Sequence, residues 1–412
     1  MPVETFSLPY GRRRTFECQL DADLIVGCVR PPQGLTDVAQ ATRQAVLSPI
    51  DFPPVRQLLV GGDRVVIVLD RQTPQADQLL AGLWSVLADC GVEAEHVLVI
   101  QPAHLRGGQP VDPRLALPAG VREQVSWQVH DPLDAGRCGY LATSTGGERL
   151  YLTRDLLDAD VVICVGPIEF DESLGYRGTL SSVYPGLSTA DTLRKVAGAA
   201  HVELEPDSPR PLRELADEVG WLLGVQFVLQ VIPAADGGVA DVLAGLSEAV
   251  LARGKERLRQ LWQIDIAERA EFVIASVDED AGGHSWPQVA AALDTARRIV
   301  SRDGRILLLT ELATAPTKGI EIIRDAHTPH EALRPLREQA DVDRVEALQL
   351  AQTLDRANVY LLSHLEDDLV EDLFMVPIAS PEEALRVIDG ADRCAVIGSA
   401  QHVFVRHLGA DS

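Results

Sequence analysis

The sequence predicts an α/β protein of two domains, each built on a mostly parallel sheet with helices on both faces. Three observations carry this prediction. Short apolar runs alternate with helical patterns along most of the chain, the mark of repeated strand-helix units. The strand runs are apolar throughout, as in Val65-Val-Ile-Val-Leu69 and Asp160-Val-Val-Ile-Cys-Val165, which is how strands covered on both faces read. A length of 412 residues is more than one core usually organises.

The elements follow in order. Gly62 to Leu69 reads as a turn feeding a buried strand. Gln75 to Cys90 reads as an amphipathic helix, because Leu79, Leu80, Leu83, Val86 and Leu87 recur at helical spacing. Glu95 to Ile100, Val125 to Val129 and Ala159 to Val165 read as the next strands. Leu212 to Leu223 is helical and Gln226 to Ile232 is a strand. Val242 to Gln263 reads as one long helix, a bridge between domains. A second α/β set follows: strand Ala270 to Ser276, helix Pro287 to Ser301, strand Asp303 to Thr310, helical patterns over 330–340 and 343–356, and strand Asn358 to Ser363. Ser380-Pro-Glu-Glu383 opens a last helix with a serine cap, proline at the first helical position and acidic residues in the first turn. Arg393 to Gly398 is the last clear strand. The expected division is residues 1–245, a helical linker at 246–266, and 267–412; whether the last residues pack back on the first domain stays open. A cleft between the two domains is the expected ligand site.

Composition narrows the function. Apolar residues make up 46% and charged residues 24%, ordinary for a globular chain without a membrane span. A formal net charge of −24 argues against nucleic-acid and anionic-membrane partners, both of which require a basic face. The expected partner is a small anionic molecule, and the acidic surface allows a monomer or a homodimer. The six cysteines form no Cys-x-x-Cys pair, and several sit in apolar runs, so a reduced, cytoplasmic protein is expected. The N-terminal residues lack an apolar stretch of signal-peptide length. Of the 37 Lys and Arg residues, only Lys195, Lys255 and Lys318 are lysines, so chemistry that needs a lysine has few candidates.

The most informative segment runs from Val165 to Leu187. It follows a buried strand, precedes a helix start at Ser188-Thr-Ala-Asp191, and carries Gly166, Gly175, Gly178 and Gly186. A glycine-rich loop between a strand and a helix is where α/β proteins hold ligands. Gly175, Gly178 and Gly186 supply positive-φ turns or close backbone approach.

This loop resembles the cofactor loop of the nickel-pincer lactate racemase (LarA-like) family. Glu169, Gly175, Gly178, Pro185 and Gly186 stand in register with its pattern. Leu8-Pro-Tyr-Gly11, Ser48-Pro-Ile50, Gly62 to Ile67, Arg71-Gln-Thr-Pro74, Gln101-Pro-Ala-His104, His130-Asp131, Tyr140 to Gly146 and Ala291 to Ala296 resemble further family segments in the same order. The resemblance implies the fold, and it implies a hidden hydride transfer on 2-hydroxy acids. In that reaction a histidine takes the hydroxyl proton and a lysine-linked nickel pincer takes the hydride.

The resemblance also assigns residues. It makes Arg71 the partner of a substrate carboxylate, a task that suits a guanidinium fork. It makes His104 one base, with Asp171 in the place of the second, where the family has histidine. Gly175, Gly178 and Gly186 are expected at the cofactor, and Tyr176 and Arg177 on the substrate side, although Arg177 stands where the family has serine and is expected there for its added positive charge. Ser181 stands where the family has its cofactor-bearing lysine. The nickel-ligating histidine falls near Ala197, with His201 four residues on, and the second-domain substrate lysine falls near Ala291, with His284 as a substitute. No metal ligand is assigned, and the cofactor is left unknown. The residues alone leave other accounts open. Arg71 also reads as a surface arginine, His104 as a loop histidine with a structural hydrogen bond, and Asp171 as part of an acidic solvated loop that holds a hard cation or nothing.

Three functions therefore follow as expectations. The first is a divergent protein binding a small hydroxy-carboxylate or other anion without covalent cofactor. The second is an active 2-hydroxy acid racemase or epimerase, an isomerase with a non-covalent or differently ligated pincer. The third is an acid–base or metal-assisted enzyme that uses Asp171, Glu169 and His104.

Overall fold

The all-apolar strand Val65–Leu69 is buried at every position and lies inside a six-stranded sheet. The computed structural model, which describes residues 2–103, 110–196, 204–279, 284–338, 343–388 and 390–408, sets the order of that sheet. It runs Val239–Leu246, Phe227–Pro233, Val161–Pro167, Val65–Leu69, Val97–Gln101, Ser126–Val129. Every neighbouring pair is parallel except the first, which is antiparallel. The helix Ala76–Asp89 covers one face, burying Leu79, Leu80, Leu83, Val86 and Leu87 in a core that includes Ile67, Leu69, Val97 and Val99. Each such side chain contributes about 1.5–3 kcal/mol on burial. Beside it, Val38–Leu47 is capped by Asp37, whose carboxylate accepts the Gln40 N–H at 2.8 Å. The two helices approach closely because Gly82 has no side chain: a Cβ there would lie 2.4 Å from the Ala39 carbonyl oxygen.

The second sheet is wholly parallel and ordered Val376–Ile378, Asn358–Leu362, Val300–Leu309, Ala270–Ser276, Cys394–Ile397, Ile25–Val29. The helix Trp286–Ile299 packs on it. An N-terminal hairpin, Val3–Tyr10 against Arg14–Asp21, buries alternate residues: Phe6, Leu8 and Tyr10 on one strand, Phe16, Cys18 and Leu20 on the other. They share a core with Phe272, Ile274, Leu307 and Leu309.

The chain divides into two compact units, one of Met1–Pro32, Ala235–Gly237 and Arg259–Ser412, the other of Gln33–Ala234 and Gly238–Leu258. This corrects the expected boundaries. The first 32 residues belong with the C-terminal unit, because Ile25–Val29 extends its sheet and the hairpin fills its core. The closing strand Phe404–His407 pairs with Gln263–Ile266 and stays in that unit also. The expected long helix from Val242 begins later, at Ser247, and ends at Trp262. Residues 242–246 instead complete the antiparallel edge strand, where Gly245 at φ +145° admits the backbone of Ile50. Among the described residues, no helix is long and apolar enough to cross a membrane.

Candidate functional site

Strand order locates the site. From Val65–Leu69 the sheet grows through Val97–Gln101 on one side and through Val161–Pro167 on the other, so the chain direction of growth reverses between Val65–Leu69 and Val161–Pro167. Ligands of open α/β sheets bind beyond the carboxyl ends of the two strands flanking such a reversal. Here those ends lead into Asp70-Arg71-Gln72-Thr73 and into Ile168-Glu169-Phe170-Asp171.

The first of these segments is a tight turn. Asp70 N–H donates to Val165 O at 2.8 Å, Thr73 Oγ1 donates to Asp70 O at 2.6 Å, and Asp70 Oδ1 accepts Gln72 N–H at 2.9 Å. The turn presents Arg71, whose guanidinium makes one long hydrogen bond among the described residues, to Pro102 O at 3.4 Å. Among the described residues it has no carboxylate ion-pair partner. Burial lowers its pKa to about 10, with Asp70 opposing the shift. It remains a cation at neutral pH, and it sits where an incoming carboxylate would relieve the cost of that burial.

The second segment is a small hairpin, Glu169–Asp171 against Gly175–Arg177, in which Glu169 lies directly opposite Arg177. That register makes an ion pair at 3.2 Å. Arg177 also donates to Asp70 at 2.6 Å and to the Gln72 amide oxygen. Its pKa is held above the ordinary arginine value by Asp70 and Glu169, which outweigh burial, the largest single influence. This changes the expected role of Arg177. Its charge is already met by two carboxylates, and it holds the turn that carries Arg71. Tyr176 is corrected as well: it is 2% exposed, with its ring under the Lys255 ammonium and beside Phe170 and its hydroxyl donating to Asp207 at 3.4 Å. It is a core residue of the hairpin rather than a substrate contact.

Asp171, expected as a base, has a structural duty. Its Oδ1 accepts the N–H groups of Ser173 and Leu174, both at 2.8 Å, and so closes the hairpin turn. Gly175 and Gly178 meet the conformational expectation, at φ +72° and +112°. A Cβ on Gly175 would lie 2.2 Å from Pro206 O, and one on Gly178 would lie 2.7 Å from Pro167 O. Gly186 has no positive φ; its missing Cβ makes room for Pro102, the residue that accepts from Arg71. His104 lies outside the described residues, as do Ala197 and His201.

Behind the hairpin the loop is tied down by residues that the sequence reading did not single out. Arg213 donates to Tyr176 O, Gly178 O and Thr179 Oγ1 while pairing with Asp217 at 2.7 Å. The fully buried Gln230 accepts the Thr179 N–H at 2.7 Å and donates to Cys164 O and Leu229 O. A polar residue in the otherwise apolar Phe227–Pro233 strand was the available signal for it.

Residues 10–204 match the family model described as the lactate racemase N-terminal domain. A lactate racemase from Thermoanaerobacterium thermosaccharolyticum is 21% identical over 434 aligned positions, spanning 98% of this chain and 100% of that protein. The chain is lactate racemase-like along its whole length. The fold agrees: the lactate racemase apoprotein of that organism superposes with a TM-score of 0.78 at 20% identity, covering 98% of this chain and 100% of the other. A protein of Thermotoga maritima superposes with a TM-score of 0.67 at 13% identity, covering 92% and 100%.

Within this racemase-like chain, the cofactor-anchoring position can be tested against its chemistry. Ser181 offers a hydroxyl and no amine, and that hydroxyl is spent on the loop itself: Oγ accepts Gly178 N–H at 2.9 Å and donates to Gly178 O at 3.0 Å. Lys195, on the helix Ala190–Val196, is largely exposed and pairs with Glu148 at 3.1 Å. His130 is buried, with Nε2 2.7 Å from Ser188 O. Among the described residues, the one group of three metal-ligand side chains within reach of each other is Glu93, Glu95 and His96. It precedes Val97–Gln101, so it lies at the opposite edge of the sheet from Arg71. Neither Ser181 nor Lys195 therefore offers an anchoring amine at the loop. His284, considered as a second-domain substitute, bonds through Nδ1 to Thr310 Oγ1 at 3.2 Å, and its buried Nε2 has no hydrogen-bond partner among the described residues. Its pKa is lowered, first by burial.

Proposed function

We propose that this lactate racemase-like protein binds a small hydroxy-carboxylate or related anion at the Arg71 turn, without a covalently attached nickel-pincer cofactor. One observation carries the reading. Of the two arginines at the strand ends, Arg177 is neutralised by Asp70 and Glu169, whereas Arg71 is half-buried and, among the described residues, meets a single carbonyl. A bidentate carboxylate is the ligand that such a guanidinium lacks. Ser181 supports the second half of the reading, because its hydroxyl caps the turn where an anchoring amine would be required. Asp171 and Glu169 are committed to the turn and to Arg177, which weakens an acid–base role for that pair. The protein is read as cytoplasmic, in keeping with six unpaired cysteines.

Titration calorimetry with D- and L-lactate and longer 2-hydroxy acids tests the binding. Arg71→Gln should weaken affinity by about tenfold to a hundredfold, the worth of one charge-assisted bidentate contact. Unchanged affinity in that variant would sink the proposal. Intact-mass measurement after co-production with a pincer-making pathway tests the cofactor half, with the unmodified chain mass expected.

A second reading, an isomerase that holds the pincer without a covalent link, is favoured by the retained loop geometry at Gly175 and Gly178. Stoichiometric nickel in the same sample, together with racemisation of a 2-hydroxy acid, would establish it over the first.

A further inference from the structure

In the C-terminal unit, five basic side chains gather at the edge of the sheet where the parallel strands begin. Arg269 precedes Ala270–Ser276, Arg297 lies in the last turn of Trp286–Ile299, Arg302 opens Val300–Leu309, Arg356 precedes Asn358–Leu362, and His407 ends Phe404–His407. Two of the guanidinium groups converge on one atom. Arg269 Nη1 donates to Val300 O at 3.2 Å, and Arg356 donates to the same oxygen through Nε at 3.3 Å and Nη2 at 3.2 Å. Arg269 also donates to Arg298 O at 2.7 Å.

Part of this is explained by the helix. Its last carbonyls lack internal partners and carry the negative end of the dipole, so a cation there is favourable. That need does not account for the whole cluster. Among the described residues, neither Arg269 nor Arg356 has a carboxylate ion-pair partner. Asp294 is 3% exposed and committed to Arg297 at 2.9 Å and Arg298 at 2.8 Å. Asp303 meets Arg356 through its backbone only, its N–H donating to Arg356 O at 2.8 Å, and Asp355 pairs with His330 at 3.3 Å. The guanidinium pKa of Arg356 is lowered by burial and then by Arg269, Arg297 and Arg302; that of Arg269 by burial and then by Arg297. His407 is lowered by burial and then by Arg269, with Arg298 and Arg356 adding to it. A chain of net charge −24 has thus placed its cations together with too few anions, although 61 acidic residues were available.

We propose that Arg269, Arg302 and Arg356 form a binding site for a phosphate-bearing small molecule, separate from the Arg71 site. A di- or polyanion is favoured over a monocarboxylate because several guanidinium groups must be met at once, and tetrahedral phosphate oxygens match their forked N–H geometry. Arg269 keeps Nε and Nη2, and Arg356 keeps Nη1, beyond the bonds to the helix end.

The test is calorimetric titration of the full chain with pyrophosphate and with ADP, at fixed ionic strength set by sodium chloride. Saturable binding is expected. Arg302→Gln should weaken it by about tenfold; Arg302 is exposed and makes no hydrogen bond among the described residues, so folding should be preserved. The Arg269→Gln/Arg356→Gln double variant should abolish it, with the circular dichroism spectrum checked for retained fold. Arg71→Gln should leave it unchanged. Similar affinity for both probes would support a site that reads free phosphate, and markedly tighter ADP a site for nucleoside-borne phosphate. Absence of saturable binding in the millimolar range, or binding unmoved by Arg302→Gln and the double variant, would overturn the proposal.

Discussion

Among the described residues Arg177 meets two carboxylates and an amide, whereas Arg71 meets one carbonyl, and this difference sets what each substitution should do. Replacing Arg177 by methionine would keep its bulk and leave Asp70 and Glu169 facing each other half-buried. Loss of one partner from such a cluster costs about 2–4 kcal/mol, since the remaining charges stay desolvated. Urea denaturation should show that loss, and Arg71-dependent ligand binding should weaken with it, because the turn that presents Arg71 is held by Arg177. Arg177→Lys should rescue little, since a single ammonium cannot span three acceptors in a plane. Full stability in Arg177→Met would show that the ion pairs are decorative. Arg71→Gln, by contrast, should leave the urea midpoint almost unmoved. Arg71 itself was legible in the sequence, because a strand run ending in Asp70-Arg71-Gln72-Thr73 places it at a sheet edge. The neutralisation of Arg177 was not. Asp70 and Gln72 lie more than a hundred positions away along the chain, and the pairing with Glu169 depends on a hairpin register that a short polar run does not announce. The burial of Tyr176 was not legible either, because the alternation of a three-residue strand is too brief to say which face is inward.

At the scale of elements, the glycines of the loop answer different demands of the backbone. Gly178 combines φ +112° with a neighbour 2.7 Å from any Cβ, and that neighbour is a backbone carbonyl that cannot swing aside. Gly178→Ala should therefore cost about 2–3 kcal/mol from φ strain and displacement together, and it should loosen the Ser181 and Arg213 bonds to Gly178. Gly186→Ala carries no φ penalty and its nearest neighbours are Pro102 ring atoms at 3.0 Å, so its cost should be the smaller one. Thermal denaturation of the two variants checks the order, and the reverse order would mean that the positive φ and close carbonyl at Gly178 are not what that glycine serves. Elements with a sustained pattern were legible. The five leucine and valine positions of Ala76–Asp89 and the apolar runs of both sheets came directly from periodicity. The Val239–Leu246 strand did not: its last residues, Val242-Leu-Ala-Gly-Leu246, blend into the helical spacing of the Ser247–Trp262 helix that follows. Antiparallel pairing to Phe227–Pro233 decides the matter, and that is a long-range contact overriding local propensity.

At the scale of the molecule, the chain does not divide where its pattern suggests, because the first strands fold with the last. A boundary read from local patterns assumes that neighbours in sequence share a core. Here Phe6, Leu8, Tyr10, Phe16 and Leu20 are buried with Phe272, Ile274, Leu307 and Leu309, about 250 to 300 positions onward. Five such side chains, at about 1.5–3 kcal/mol each, rival the whole net stability of a typical domain. The consequence is a selective one. Phe16 is 1% exposed, and Phe16→Ala should cost about 3–5 kcal/mol through lost burial and the cavity left behind. Since two units need not unfold together, the loss should appear in one of them. Hydrogen exchange followed by mass spectrometry should show faster exchange in Ala270–Ser276, Cys394–Ile397 and Ile25–Val29, the strands of the sheet that the hairpin covers. Val65–Leu69 and Val161–Pro167 should keep their protection, although they lie nearer to Phe16 in sequence than Ala270–Ser276 does. Deprotection spreading first into those two strands would place the N-terminal hairpin with the other core, and the division at Pro32 would have to be redrawn.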